Sequence, residues 1–381
     1  MRCLCVITSL PLGGAEKSLY RLINHSLNSV EYLVVSLDAP KEMENAFRDI
    51  GVDVINLNLK SFRNIFPAYK NFRQIIKDWE PNVIYCWMYH AMLFGTLSKI
   101  HYHKIPIIWG VRHNNLQFKY NKITTVLLGN LLGYLSKFAH AIVYCSAESL
   151  KLHTKLGYRP KMIAELIENG FDKQEFSMTS SLPSERKKDT RKKYFQNTMN
   201  DSTVVAICCR FDPLKRFDLF MEMAKEILDR DLYRVQFCLV GSGVVAERKN
   251  LLSRLPRKYE EHFHFQDQQS DIPELLTTFD VLVQCSQSES FPNIIAEAML
   301  SEIAVVATKV GQTEIIVRDC GYLVASNDVN GLTKCVVDLI ADPQLRIDLG
   351  KRARIRISEE FSINETIKRH LDLFEKIKCA D

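Results

Sequence analysis

Short apolar runs alternate with amphipathic stretches twice along this chain, and a polar segment almost devoid of core-forming residues divides the two series. The first series runs through Cys3–Ser9, Tyr32–Leu37, Val52–Leu57, Val83–Cys86, Ile105–Val111, Ala141–Cys145 and Met162–Ile167. The second runs through Val204–Cys209, Val235–Val240, Phe263–Gln266, Val281–Cys285, Ala304–Thr308 and Tyr322–Val324. Apolar runs of this length, each separated from the next by room for a crossover helix, specify parallel, doubly wound sheets. At 381 residues the chain exceeds one ordinary core, so the two series read as two α/β lobes. The boundary falls after Asn169-Gly170, in the polar stretch Ser177–Ser202 with its charged run Glu185–Lys193. Such sheets bind ligands outside the carboxyl ends of their strands, so two lobes facing each other create a cleft lined by the loops that follow strands.

Composition excludes several classes. With 46% apolar and 25% charged residues the chain is a globular protein. A formal charge of +5 over this length gives no footprint for nucleic acid. No apolar run reaches the eighteen or so residues that span a bilayer, and Pro11 with Thr8 and Ser9 cuts the N-terminal run too short for a secretory signal. The cysteines lie mostly within apolar runs and lack paired C-x-x-C spacing, so they read as reduced, buried thiols of a cytoplasmic protein, with no metal site.

Three constellations can carry chemistry. The first is Gly13-Gly14-Ala15-Glu16, between a strand and a helix, where glycine permits close backbone approach and the helix N-terminus favours an anion; a plain tight turn is the alternative. It is not G-x-G-x-x-G, which weakens a nicotinamide reading. The second is Arg210 with Lys215 across a Pro213-containing turn, two cations able to clamp a diphosphate and neutralise it as it leaves; a solvated basic turn is the alternative. The third is Glu289-Ser290-Phe291-Pro292-Asn293-Ile294-Ile295-Ala296-Glu297. Pro292 fits the first turn of a helix, so Glu289 lies in the preceding loop and Glu297 well inside an apolar helix. Glu297 suits the paired hydroxyls of a ribose, while Glu289 and the N–H groups around Phe291–Asn293 suit sugar and phosphate; two unconnected surface glutamates on a helix are the alternative.

Taken in order, these blocks with Asn169-Gly170-Phe171-Asp172 resemble the large retaining glycosyltransferase family 4, which has the GT-B fold of two Rossmann-like domains facing across a cleft. Trp87-Met88-Tyr89-His90-Ala91 and Gly110-Val111-Arg112-His113-Asn114 look like stretches of bacterial members that build surface polysaccharides. The resemblance implies an acceptor-side domain at 1–175, a linker at 176–201 and a nucleotide-sugar-binding domain at 202–362. The last helix, 363–381, would return to the first domain through the apolar face of Ile367, Leu371, Phe374 and Ile377. It further implies that Arg210 and Lys215 bind the donor diphosphate, Glu297 the ribose and Glu289 the sugar, with His113 beside the anomeric carbon and Gly13, Gly14, Phe291 and Asn293 around the donor. His90, which also follows a strand, is a candidate for the acceptor side, with a structural histidine as the alternative. Where the family has other residues this chain has Ser290, Ser301-Glu302 and Gly311-Gln312.

The expected reaction is metal-independent transfer, with retention, from a nucleoside-diphosphate sugar of the uridine series to a glycan or lipid-linked acceptor in polysaccharide or lipopolysaccharide assembly. No cofactor beyond the donor is expected. A nucleotide-sugar epimerase and a non-catalytic sugar-nucleotide-binding subunit are the alternatives. Cations interleaved with aromatics over Leu59–Arg73 suggest contact with the inner face of the cell membrane; a solvated helix with a core face is the plainer account.

Overall fold

A computed structural model describes residues 1–59, 64–176, 184–195, 202–231 and 234–378. The chain forms two compact units, Met1–Gly170 with Ile363–Asp381, and Phe171–Ser362. The first holds seven parallel strands, β1 (Arg2–Ile7), β2 (Glu31–Ser36), β3 (Asp53–Asn56), β4 (Val83–Trp87), β5 (Ile107–Val111), β6 (Ala141–Tyr144) and β7 (Ile163–Leu166), in the order β3-β2-β1-β4-β5-β6-β7. The second holds six, β8 (Thr203–Cys208), β9 (Val235–Val240), β10 (Phe263–Gln266), β11 (Val281–Gln284), β12 (Ala304–Thr308) and β13 (Tyr322–Val324), in the order β10-β9-β8-β11-β12-β13. Together they are the two Rossmann-like sheets of a GT-B fold.

Both orders reverse direction once. In the first sheet β1 pairs with β2 on one side (Cys3↔Tyr32) and β4 on the other (Cys3↔Val83). In the second β8 pairs with β9 and β11 (Val205↔Phe237, Val281↔Val205). A crevice opens at such a reversal because the flanking crossover connections leave on opposite faces. The loops after β1 and β4, and after β8 and β11, therefore hold the positions where side chains can meet a ligand.

Helices cover both faces of each sheet, which is why the central strands are apolar throughout. Trp87, Trp109, Tyr85 and Tyr144 are fully buried in the first unit, and Phe220, Phe237 and Phe279 in the second. Burying each such ring contributes roughly 2–3 kcal/mol. The final helix, Ile363–Lys378, belongs to the first unit: Ile367, Leu373, Phe374 and Ile377 enter its core, and His370 Nε2 meets the Tyr85 hydroxyl at 3.2 Å. Gly170 makes room for the returning chain, since a Cβ there would lie 2.7 Å from Ile363 Cα.

The polar stretch between the two apolar series contains a helix, Ser184–Tyr194. Its lack of apolar residues hid how it docks. Lys187 and Arg191 reach Asp280 at 2.7 and 2.5 Å, Asp280 also accepts the Val204 N–H, and Phe195 is buried. Charged hydrogen bonds here replace the hydrophobic stripe that a docked helix ordinarily carries. Residues 177–183 and 196–201 of that stretch lie outside the described residues.

Candidate functional site

In the second unit β8 ends at Cys208, and Asp212 starts a 3-10 turn over Pro213–Lys215 by accepting the Leu214 N–H at 2.9 Å. Arg216 follows in left-handed backbone at φ 55° and is held by Asp218, whose carboxylate takes its Nε at 2.9 Å. This tight exit turns Lys215 inward. Its Nζ donates to Glu289 Oε1 at 2.5 Å, and that oxygen also accepts Gln284 Nε2 at 2.6 Å and Ser286 Oγ at 2.7 Å. Gln287 N–H donates to the Leu214 carbonyl at 2.7 Å, tying the β11 loop to the β8 loop.

Burial alone would drive Lys215 toward the neutral form. The Glu289 carboxylate and its hydrogen bond outweigh that, so the ammonium's pKa is raised and it stays charged. One of its three N–H groups goes to Glu289, which leaves two for another acceptor. Arg210, by contrast, is not drawn into this network. Its Nη2 meets Asp212 at 3.1 Å and its side chain is 70% exposed.

Glu289 lies in the loop before the helix Asn293–Leu300, and Glu297 lies within that helix, nearly fully buried. Pro292 precedes the first helical residue as its cap instead of opening the first turn. The Phe291 ring is buried between Phe171, with centroids 6.1 Å apart and nearly parallel, and Phe361. Its side chain thus packs the unit, and only its backbone remains for a ligand. Asn293 is the first residue of the helix and partly buried.

Two glycines shape this loop set, and sequence patterning gave them little weight. Gly311 has φ 57°, and any Cβ would strike the Glu289 carbonyl oxygen. Gly241 has φ 145°, and a Cβ would strike the Cys209 carbonyl. The next residue after Gly311, Gln312, is buried and its N–H donates to the Ser290 carbonyl at 3.2 Å. Gln284 and Ser286, which fix Glu289, were also missed. A polar side chain closing the apolar strand Val281–Gln284 was their one available cue.

In the first unit Gly13 caps the helix Gly14–Asn24 in extended backbone, and the Glu16 carboxylate folds back over it, so a Cβ on Gly13 would strike that carboxylate. Glu16 is thus placed against the positive end of the helix, where a negative charge is stabilised. His113 follows β5, is partly buried, and its Nε2 lies 3.0 Å from Asn121 Oδ1, with Tyr89 edge-on at 5.9 Å. Arg112 stacks 3.9 Å over Trp87 and donates to Asn169 Oδ1 at 2.8 Å, so it ties strand ends together inside the unit. His90 is exposed at the start of the helix Tyr89–Thr96.

Of the segment Leu59–Arg73, residues 60–63 lie outside the described residues. The helix Ile65–Trp79 buries Ala68, Phe72 and Ile76 and turns Lys70, Arg73 and Lys77 outward, the pattern of a solvated helix with a core face. Among the described residues no group of three or more His, Cys, Asp or Glu could hold a metal ion, and no helix is long and apolar enough to cross a membrane. The ten described cysteines are free thiols.

Residues 12–175 match the family description "Glycosyltransferase Family 4", and residues 202–342 match "Glycosyl transferases group 1". The chain belongs to glycosyltransferase family 4. Relatives of this family member include the poly(ribitol-phosphate) alpha-N-acetylglucosaminyltransferase of Staphylococcus aureus, 24% identical over 85% of this chain and 62% of that protein. The N-acetyl-alpha-D-glucosaminyl L-malate synthase of Bacillus anthracis is 27% identical over 45% of each chain. The chain thus spans less than two thirds of the length of both relatives. Among solved structures, Anabaena HepE in complex with UDP-glucose superposes with a TM-score of 0.85, at 21% identity, over 99% of this chain and 100% of that one. At that identity the likeness establishes the shared GT-B fold.

Proposed function

We propose that this family 4 member is a metal-independent, retaining glycosyltransferase that moves a sugar from a UDP-linked donor to a glycan or lipid-linked acceptor in surface-polysaccharide assembly. The observation that carries the proposal is the charged Lys215, inward-turned at a sheet reversal and locked to Glu289 by a network with Gln284 and Ser286. Two relatives whose names specify N-acetylglucosaminyl chemistry, and a fold neighbour crystallised with UDP-glucose, favour the same donor class.

When the bond from the sugar's anomeric carbon to the diphosphate breaks, negative charge builds on the leaving phosphate. The remaining N–H groups of Lys215 and the exposed guanidinium of Arg210 stabilise it, in surroundings partly shielded from water. Glu289 accepts hydroxyls of the transferred sugar, and Glu297 accepts those of the ribose. The phosphate oxygen takes the acceptor's hydroxyl proton as the new carbon–oxygen bond forms on the face the phosphate leaves, which preserves configuration. For the first unit, His113 is proposed as a hydrogen-bond donor to the sugar and the Gly13-Gly14 turn as a close backbone approach to the ligand.

The test is a panel of uridine and guanosine nucleotide sugars in excess chelator, scored for thermal stabilisation and donor hydrolysis, with Glu297→Ala and Lys215→Ala alongside. One donor that stabilises the protein and turns over without metal, with both effects lost in the variants, supports the proposal. A new sugar nucleotide formed without acceptor would identify an epimerase, and donor binding with neither hydrolysis nor transfer a binding subunit. A glycosyl adduct trapped on a side chain would replace the front-face path with a covalent one.

A further inference from the structure

The helix Ile123–Leu135 is turned the opposite way from an ordinary surface helix. Its inward face carries Val126, Gly129, Leu132 and Gly133, and the two glycines allow close packing: a Cβ on Gly129 would lie 2.8 Å from Leu116 Cδ1, and one on Gly133 2.5 Å from the Leu156 carbonyl oxygen. Its outward face carries Ile123, Leu127, Leu131 and Tyr134, and Phe138 extends the row past its end. These recur at three- and four-residue spacing, so they form one stripe along the helix. Ile123 is 65% exposed, Leu127 58% and Tyr134 81%. A helix that exposes a continuous row of large apolar side chains and buries its glycines is arranged for an apolar partner outside the fold.

The charge around the stripe says which partner. From Glu80 to Glu148 the sequence contains no Asp or Glu between these two residues, while Lys99, Lys104, Arg112, Lys119, Lys122 and Lys137 all fall there. Lys119 and Lys122 stand exposed just before the helix and Lys137 just after it. Lys119 Nζ lies 5.2 Å from the Tyr120 ring and Lys137 Nζ 5.4 Å from the Phe138 ring, so a cation and an aromatic stand together at each end. Thirteen residues, about 20 Å of helix, are too short to span a bilayer. They suit a helix lying in the plane of the interface, with apolar side chains among the acyl chains and lysines at the headgroups. A second copy of this chain would set the same lysines against each other, whereas an anionic lipid surface complements them.

We propose that the stripe Ile123, Leu127, Leu131, Tyr134 and Phe138, flanked by Lys119, Lys122 and Lys137, is a docking surface for an anionic lipid bilayer. This places membrane contact on a helix other than the basic and aromatic one at Ile65–Trp79, whose apolar side is occupied by the core. The stripe also begins beyond the loop that carries His113, at the carboxyl end of the first sheet. A lipid-linked acceptor held at the docked surface would lie near that end.

The inference does not depend on the donor chemistry, because its test uses no donor. The 381-residue chain is cosedimented with vesicles of phosphatidylglycerol and phosphatidylcholine, and with phosphatidylcholine alone, at about 0.1 M salt, where charges within roughly 10 Å still act. The wild type should partition to the anionic vesicles. Leu127→Ser with Tyr134→Ser should lower the partition coefficient at least about tenfold at any salt. Lys119→Glu, Lys122→Glu and Lys137→Glu together should lower it on the order of 100-fold, at roughly fivefold per cation, with the melting temperature unchanged. Raising the salt to about 0.5 M should weaken wild-type binding in the same sense. Absence of wild-type binding, or variants that bind as the wild type does, would overturn the proposal. So would a wild-type dimer in sedimentation equilibrium that the serine substitutions dissociate, which would assign the stripe to a second copy.

Discussion

Near the carboxyl ends of the first sheet the enclosed titratable groups include histidine, while at those of the second they include a lysine and a glutamate joined as an ion pair. His153 is fully buried, its Nδ1–H donates to the Ser149 carbonyl at 2.7 Å, its Nε2 accepts the Tyr89 hydroxyl at 2.6 Å, and burial pushes its pKa down to about 4. His370, between Tyr85 and the Thr366 carbonyl, is pushed down to about 3. Both are neutral partners in hydrogen-bonded networks. Lys215 instead keeps its charge against the cost of burial because Glu289 supplies the opposite charge. Two units of one topology thus spend their polar interior differently. One uses neutral groups that hold strands and the returning helix together, and the other uses an ion pair whose field can act on a ligand.

The largest expected effect separates the two networks by function. Lys215→Ala and Glu289→Ala should each reduce sugar transfer by about 10²- to 10³-fold, the scale of losing one preorganised group that meets developing charge. His153→Gln should leave donor hydrolysis within about threefold while lowering the melting temperature. Equal losses of turnover at Lys215 and His153 would erase the distinction.

Acid stability comes next, because buried histidines lie in both units. A histidine with a depressed folded pKa contributes stability that is present above about 6.5, its unfolded value, and lost as pH falls through its folded value. For His153, at about 4, that amounts to about 3 kcal/mol between pH 6.5 and 4. Asp280 in the second unit is penalised by burial, but Lys187 and Arg191 more than offset this and hold its pKa below the usual carboxylate value, so its contribution survives until pH falls below about 4. Trp79, Trp87 and Trp109 are the chain's three tryptophans and all lie in the first unit. In the second unit burial pushes His264 down to about 4 as well, so both units lose histidine-linked stability over the same acid range, and tryptophan emission, which reports the first unit, should shift together with the far-ultraviolet signal. A tryptophan transition well separated from the far-ultraviolet one would show that one of these two histidines is not held neutral by its surroundings. At alkaline pH the raised pKa of Lys215 means that its contribution is fully present below the ordinary lysine value and is lost as pH rises through the folded value.

The smallest contrast lies in two glycines. Gly311→Ala forces positive φ on a residue with a Cβ and drives that Cβ into a backbone carbonyl, which should cost at least about 2 kcal/mol in urea unfolding. Gly13→Ala keeps a negative φ and meets only the movable Glu16 carboxylate, so it should cost under about 1 kcal/mol. A Gly13→Ala cost as large as that at Gly311 would mean that the Glu16 carboxylate is fixed as firmly as backbone.

Much of this was legible before any coordinates. The apolar runs anticipated thirteen strands in order, because a parallel strand covered on both faces must be apolar along its length and so writes itself plainly. Lys215, Glu289 and Glu297 stood out because a cation after a strand and a carboxylate in an apolar helix are rare without a purpose. The docking of Ser184–Tyr194 did not, because it rests on ion pairs to Asp280 some ninety residues away, which no local pattern encodes.

The sequence by itself determined the two parallel sheets, the number and order of their strands and the loops that carry the ionisable residues, since those follow from local periodicity and glycine and proline placement. Tertiary structure alone decided that Lys215 meets Glu289 while Arg210 turns to Asp212, and that Phe291 packs against Phe171. It also decided that the helix Ile123–Leu135 buries its glycines and exposes Ile123, Leu127, Leu131 and Tyr134. A helix apolar on every side has no preferred face of its own, so the choice fell to the neighbours close enough to require a residue without a side chain.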